Sequence, residues 1–293
     1  MYIVDYSKPR NRNPLRKLNV DLKSLNQWLI ANKISLNATK TELMYFRNSR
    51  TPIPSTVLRL NGVKLEQTNQ VKYVGITFDE FLTFKRHITL LNSKLKRTNN
   101  LIALSRHYLP KKLMMEIYYG QFYSHLNYGC QLWGQNENAI TQTITLQKKA
   151  VRLLSFSHFQ EHASPLFKNL KLLKLTDIVK QNNMIFTHNT LNGKTPHIFE
   201  NYFVFNKTNH QHQTVNSLNS IYSLPTGSLK IPAYRTELGK STIQFICCNV
   251  WNLTLKDLSM KNIDNYDKDP YWMNNTNVKT LKYMLLKHFL ECY

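Results

Sequence analysis

Apolar residues recur along this chain at two different spacings, and the change between them divides it. Leu18, Leu22, Leu25 and Leu29 stand at i, i+4, i+7 and i+11. That spacing predicts a helix from Leu15 to about Asn32, with Trp28 on the same side and Asn32 as the residue that stops it. A strand texture follows. Ile34 and Leu36 alternate, Asn37–Thr41 is polar, and Glu42–Phe46 reads as a buried strand. Val57–Leu65 holds Asn61-Gly62 at its centre, two residues that tolerate positive φ between alternating positions, which is the strongest hairpin signal in the chain. Val71–Phe78 reads as one further strand, with Gly75 marking a bulge or a close backbone approach. Ahead of all these, Met1–Tyr6 reads as a short strand and Ser7–Pro14 as a Pro-bounded loop.

Beyond Phe84 the period becomes helical. Ile88, Leu91, Leu95 and Ile102 fall in one narrow sector of a helical wheel, and Pro110 ends that helix. Leu113, Ile117, Gln121 and His125, with Met114, Tyr118 and Phe122 alongside, predict a second helix. Ile140, Ile144, Gln147, Val151 and Leu154 predict a third, with Lys148, Lys149 and Arg152 turned away. A fourth lies within Leu170–Leu191. Asn201–Ser228, rich in Asn, Thr, Ser and His, reads as a loop or partly disordered connection. Ile243–Leu255 resumes the apolar period around Trp251, Asp264–Asn277 is polar, and Val278–Phe289 is a short amphipathic helix. The expected fold is α+β and mainly α: a small β region, then helices to the end.

Charge changes this picture most. Thirty-nine Lys and Arg face 17 Asp and Glu in 293 residues, a formal charge of +22 with a pI near 9.8. Such an excess marks a polyanion binder, and nucleic acid is favoured over an anionic membrane or a ribosomal surface. The excess is concentrated. Between Glu80 and Glu116 there is no acid, while Lys85, Arg86, Lys94, Lys96, Arg97, Arg106, Lys111 and Lys112 all fall there. A charge run is ordinarily a solvated face. Without interspersed acids, this one reads instead as a phosphate-contacting back on a helix whose apolar seam packs inward. Tyr118, Tyr119, Phe122, Tyr123 and Tyr128 follow, spaced as core aromatics rather than as a base-stacking row.

Other chemistries find little support. Cys130, Cys247, Cys248 and Cys292 fit no zinc spacing and imply no disulfide framework, so Cys247 and Cys248 read as small buried hydrophobes in a reducing, intracellular setting. No signal peptide precedes Arg16, no apolar run is long enough to span a membrane, and nucleus and cytoplasm are not distinguished. His210 and His212 lack a third ligand, and no metal site is expected. No GxSxG, HExxH, Walker or Rossmann pattern occurs. Polymerase chemistry needs two metal ions about 4 Å apart on clustered carboxylates. None of the eight aspartates is adjacent to another, and the lone acidic doublet, Asp79-Glu80, reads as a strand-end turn before a helix.

Several segments nevertheless resemble one family in order and spacing. Trp28-Leu29, Asn32–Asn37, Lys40-Thr41 and Phe46 resemble the motif D segment of reverse transcriptases from non-LTR (LINE-type) retrotransposons. Val71–Ile76, with Leu82 and His87-Ile88, resembles the motif E region that opens their thumb. The likeness continues through Leu109-Pro110, Ile117-Tyr118, Leu126–Gly129, Trp133-Gly134, Leu146-Gln147, Ala150–Arg152 and Ser164–Phe167. It fades after Pro196 and returns at Arg235-Thr236 and Trp251-Asn252.

The resemblance implies residual palm over 1–80, thumb-like basic helices over 81–135, a helical C-terminal region over 136–200, and a loop-rich segment with short helices over 201–293. It implies Lys40 near the incoming nucleotide's phosphates, and Lys72, Tyr73 and Gly75 at the primer end. Lys85–Lys112 would then cradle an RNA template paired with a DNA primer. The family's catalytic aspartate pair precedes the motif D tryptophan and has no counterpart here, so the Mg²⁺ that serves the full-length family is not expected as a cofactor of this chain. The expected function is the C-terminal part of an RNA-directed DNA polymerase, silent alone but able to bind nucleic acid. The alternative is a non-catalytic basic nucleic-acid-binding remnant. Oligomeric state is not legible.

Overall fold

The structure, a computed structural model, describes residues 14–34, 41–53, 58–60, 62–206, 227–260, 273 and 276–293. It is mainly helical with small sheets, as the α+β, mainly α reading expects. The chain forms two compact units, Met1–Leu91 and Asn92–Tyr293.

In the first unit, α1 (Pro14–Ala31) buries Leu18 and Leu22 and partly buries Leu25. They pack with Leu43, Tyr45, Leu58, Leu60 and Leu65 into one apolar cluster. Trp28 departs from the expected side and is exposed, because at 100° per residue it lies at the margin of the Leu stripe. The helix ends at Ala31, close to the expected bound, and the residue that stops it is Lys33 rather than Asn32. Lys33 takes the left-handed φ of 54°, while Ile34 N–H bonds Leu29 C=O and Lys33 N–H bonds Ile30 C=O, the Schellman pattern.

The strands pair two by two. β1 (Glu42–Leu43) lies parallel to β4 (Glu66–Gln67), and β2 (Arg59–Leu60) antiparallel to β3 (Val63–Lys64). β1 is shorter than the expected Glu42–Phe46 strand, although Leu43, Met44 and Tyr45 are buried as expected. The β2–β3 pair is the Asn61-Gly62 hairpin, with Gly62 at φ 77°; Val57 and Asn61 lie outside the described residues. Val71–Phe78 is not one strand but two. β5 (Gln70–Tyr73) turns back on β6 (Ile76–Asp79) through Val74 (φ 46°) and Gly75 (φ 80°). Two consecutive positive φ values are what the tight hairpin turns favoured by strand twist require. Gly75 is therefore a turn residue, not a bulge. The expected readings of Met1–Tyr6, Ser7–Asn13, most of Asn201–Ser228 and most of Asp264–Asn277 lie outside the described residues.

The second unit is built on α2 (Lys85–Ser105, which the unit boundary divides), α6 (Glu137–Ser155) and α8 (Leu175–Leu191). Leu91, Leu95 and Ile102 of α2 are buried, as their spacing predicts. Polar links hold α2 on α6: Thr143 Oγ1 donates to Asn92 Oδ1 at 2.7 Å, and Asn99 Nδ2 donates to Leu146 C=O at 3.0 Å. Next come α3 (Lys111–Ile117), a π-helical segment (Tyr118–Tyr123), α4 (Ser124–Asn127) and α5 (Cys130–Trp133). Their buried stripe is Met114, Tyr118, Phe122 and Leu126, with Leu113 exposed. A strict four-residue repeat drifts around an α-helix. The wider π turn compensates that drift and keeps the four side chains on one line, so the Leu113 face expected from spacing is not the inner one.

α7 (Ala163–Asn169), α9 (Glu237–Lys240), α10 (Ile243–Met260) and α11 (Val278–Glu291) complete the unit, with α10 and α11 both packed on α8. Cys247 and Cys248 are buried on α10, as their spacing suggested. Burial pushes their thiols up, to about 12 and about 11.

Tyr293 docks on the start of α8. Its hydroxyl donates to Asp177 Oδ2 at 2.6 Å and accepts from Lys174 N–H at 2.8 Å. Burial, then the Asp177 charge, raises the Tyr293 phenol well above its usual range, and burial does the same for Tyr118. A phenol whose folded pKa exceeds its unfolded value near 10 stabilises the fold fully below about pH 10 and progressively less above it. Urea midpoints followed by circular dichroism should therefore hold steady up to about pH 10 and fall as the pH rises above it. Tyr293→Phe should flatten that fall, and an unchanged pH slope in the variant would count against this account.

Candidate nucleic-acid interface

The entry to α2 is set by one carboxylate. Asp79 Oδ1 accepts from Phe81 and Thr83 N–H at 3.1 and 2.9 Å, and Oδ2 accepts from Phe84 N–H at 2.6 Å and Thr83 Oγ1 at 3.1 Å. These bonds hold Leu82 and Phe84 at positive φ, a strained geometry for side chains of that size. Glu80 pairs with Arg47 at 2.8 Å. The acidic doublet is thus the strand-end turn that its position suggested. Thr77 N–H also reaches His87 Nδ1 at 3.4 Å, tying β6 to the first turns of α2.

Lys72 and Tyr73 are exposed on β5, beside the Gly75 turn. Lys85 and Arg86 are exposed in the first turn of α2, where no acid accompanies them. Cations there oppose the helix dipole and cost a few tenths of a kcal/mol each. Lys40 lies outside the described residues.

In the second unit Lys94, Lys96 and Arg97 are exposed along α2, and Lys111 and Lys112 are exposed in the first turn of α3, again without an acid. Lys94 lies close enough to His125 on α4 that its charge, after burial, lowers the His125 pKa. Among the described residues, none of Lys85, Arg86, Lys94, Lys96, Arg97, Lys111 and Lys112 forms an ion pair. Arg106 differs: it is half-buried, with its guanidinium 4.9 Å above the Phe156 ring.

Two features escaped the sequence reading. Leu101 and Leu104 are exposed on the side of α2 that carries Lys94 and Arg97, so the outer face is mixed rather than purely basic. Tyr108, Phe156 and Phe159 are exposed aromatics in the turns that follow α2 and α6. Their only signal in the sequence is that they fall outside every helical period. Of the aromatics that were singled out, Tyr118 and Phe122 are core, and Tyr119 and Tyr128 are about half exposed. No group of three or more His, Cys, Asp or Glu able to hold a metal occurs among the described residues, and none of their helices is long and apolar enough to cross a membrane.

Fold and surface together define a mainly helical α+β protein with an acid-free cationic run on two successive helices. Comparison with known proteins finds sequences similar to it. The chain is 26% identical over 163 residues to a probable RNA-directed DNA polymerase from the transposon X-element of Drosophila melanogaster. It is 27% identical over 165 residues, and 30% over 161, to RNA-directed DNA polymerases from the mobile element jockey of Drosophila funebris and Drosophila melanogaster. These matches cover 54%, 55% and 53% of the chain but only 18%, 18% and 17% of the relatives, so the chain matches less than a fifth of their length. No protein-family profile matches, and no solved structure does. The resemblance to non-LTR retrotransposon reverse transcriptases, read above from motif order, is thereby shown.

Proposed function

We propose that these residues are the nucleic-acid-gripping part of a non-LTR retrotransposon reverse transcriptase, residual palm followed by thumb, and that they do not polymerise by themselves. The carrying observation is the run from Lys85 to Lys112, which is free of acids in sequence and whose exposed cations form no ion pairs among the described residues. Cations already neutralised by carboxylates would release no counterions on meeting phosphates; these would. The apolar seam of α2 holds the helix in place, and its cationic back meets the backbone of an RNA template paired with a DNA primer. Lys72 and Tyr73, on the β5–β6 hairpin, take the primer end. The 293 residues contain no adjacent aspartates to hold the two Mg²⁺ ions of nucleotidyl transfer.

Two measurements test this. Binding to a blunt primer–template duplex should weaken by roughly a thousandfold between about 50 and 200 mM salt if some six phosphates are neutralised. The combined change Lys94→Ala, Lys96→Ala, Arg97→Ala should lower the log–log salt slope by about 2–3. An unchanged slope would remove this face from the interface. On a recessed DNA primer annealed to a longer RNA template, nucleotide incorporation with or without Mg²⁺ should be nil, and measurable synthesis by the pure chain would refute the silent reading.

A further inference from the structure

We infer that the turn after α2 and the turn after α6 together form a stacking platform for unpaired nucleotides, a second subsite for single-stranded nucleic acid beside the duplex-gripping cations. This rests on the proposed nucleic-acid reading and extends it. The two turns are brought together by Arg106, whose guanidinium lies 4.9 Å from the Phe156 ring centroid.

The same two turns carry large aromatic surfaces that the core does not use: Tyr108 is 87% exposed, Phe159 71% and Phe156 50%. Phe156 also holds the left-handed position that ends α6, with φ at 57°. Glycine is usual at that position, and a ring kept there on the surface against backbone preference points to a use outside the core. Arg106 Nε is buried without a hydrogen-bond partner among the described residues, so the guanidinium is held by its stack rather than by a carboxylate.

The surrounding charge selects the occupant. Lys111 and Lys112 follow within one turn of Tyr108, and both are exposed and unpaired among the described residues. Arg152 is engaged at its Nε by the Glu161 backbone carbonyl, and Glu161 is the one acid beside these turns in sequence. Exposed rings interleaved with cations are the recognition chemistry of single strands. Bases stack on the aromatic faces, and phosphates meet the lysines. A duplex offers stacked, inaccessible bases and gains nothing from the rings.

The test compares two probes, a labelled oligothymidylate and a blunt duplex, titrated with the full chain and with two variants. Tyr108→Ala/Phe159→Ala should lose about tenfold or more on the oligothymidylate while its duplex affinity stays within about twofold. Its single-strand salt slope should not move, because no charge is removed. Tyr108→Phe should bind as the parent chain does, which separates stacking from a hydroxyl contact. Both changed residues are exposed, and circular dichroism checks that the fold is kept.

Equal binding of the oligothymidylate by parent chain and double variant overturns the platform. So does an equal loss on both probes, and so does flotation with anionic vesicles by a chain that ignores the oligothymidylate. The duplex-gripping reading fails separately, if Lys94→Ala/Lys96→Ala/Arg97→Ala leaves duplex affinity and its salt slope as in the parent chain. The single-strand comparison would still decide the platform.

Discussion

Gly134→Ala is expected to destabilise the helical unit by about 3 kcal/mol, at the upper end of the usual effect of overpacking. For a unit of this size that is a drop in Tm of roughly 10 °C. The cause is steric, not conformational. Gly134 caps α5 at φ −84°, a value any residue adopts. An added Cβ would stand 2.5 Å from the Cys130 carbonyl oxygen and 2.6 Å from Val179 Cγ2. The first neighbour is backbone and cannot step aside, because Gly134 N–H bonds that same oxygen at 2.8 Å. The second is a side chain on α8 and can be removed. Adding Val179→Ala should therefore recover part of the loss, giving a coupling energy of opposite sign to the single effects. Gly120, whose Cβ would meet nothing within 4 Å, is the control, and Gly120→Ala should be neutral or mildly stabilising. Equal stability of the Gly134 and Gly120 variants would sink the argument.

Replacing Gln147 should have an effect of similar size by a different route. Gln147 is fully buried on α6 and makes three hydrogen bonds. Its Nε2 donates to Leu173 C=O at 2.9 Å and to the Tyr118 hydroxyl at 3.2 Å, and its Oε1 accepts from Leu175 N–H at 2.8 Å. Leu175 opens α8, and its N–H is one of the donors that a helix leaves unpaired at its start. Lys174, at the cap position, supplies no side-chain bond. The cap comes from another helix instead. Gln147→Leu keeps the volume and deletes every bond, leaving a buried N–H and a buried C=O without partners, at an expected cost of about 3–4 kcal/mol. Because Tyr118 also loses its partner, Gln147→Leu/Tyr118→Phe should cost less than the sum of the two single changes. Strict additivity in urea unfolding would exclude the shared network.

Much of the fold could be read in advance, for a physical reason. Helices bury a stripe, so Leu18/Leu22, Leu91/Leu95/Ile102 and Ile140/Val151/Leu154 announce themselves through spacing alone. The Asn61-Gly62 hairpin is similarly local, because turn geometry demands particular residues. Sequence and structure part where two local signals compete. Val71–Phe78 has strand composition throughout, and a Val-Gly turn is a weaker signal than Asn-Gly, so the β5–β6 hairpin passed as a single strand. Tyr118–Tyr123 keeps an α-like spacing although the backbone widens into a π turn that selects a different inner face.

The cationic residues were equally legible, since charge and the lack of acids need no coordinates. Whether those cations were free or paired was not, because an ion pair can join residues distant in sequence, as Arg47 and Glu80 do. The exposed aromatics at Tyr108, Phe156 and Phe159 leave only a faint sequence signal for a similar reason. Only packing decides which rings the core leaves outside.

The chain alone therefore carries its helices, its hairpin at Gly62, its basic run and its relation to the retrotransposon polymerases, all of which are properties of neighbours in sequence. Packing settled the rest: that Gln147 of α6 caps α8, that Gly134 is the width of a backbone contact with Cys130 and Val179, and that Arg106 joins two turns through Phe156. Each of those facts joins residues up to about fifty positions apart, and which distant partners meet is determined by how the apolar stripes close on one another, a property of the whole unit rather than of any segment within it.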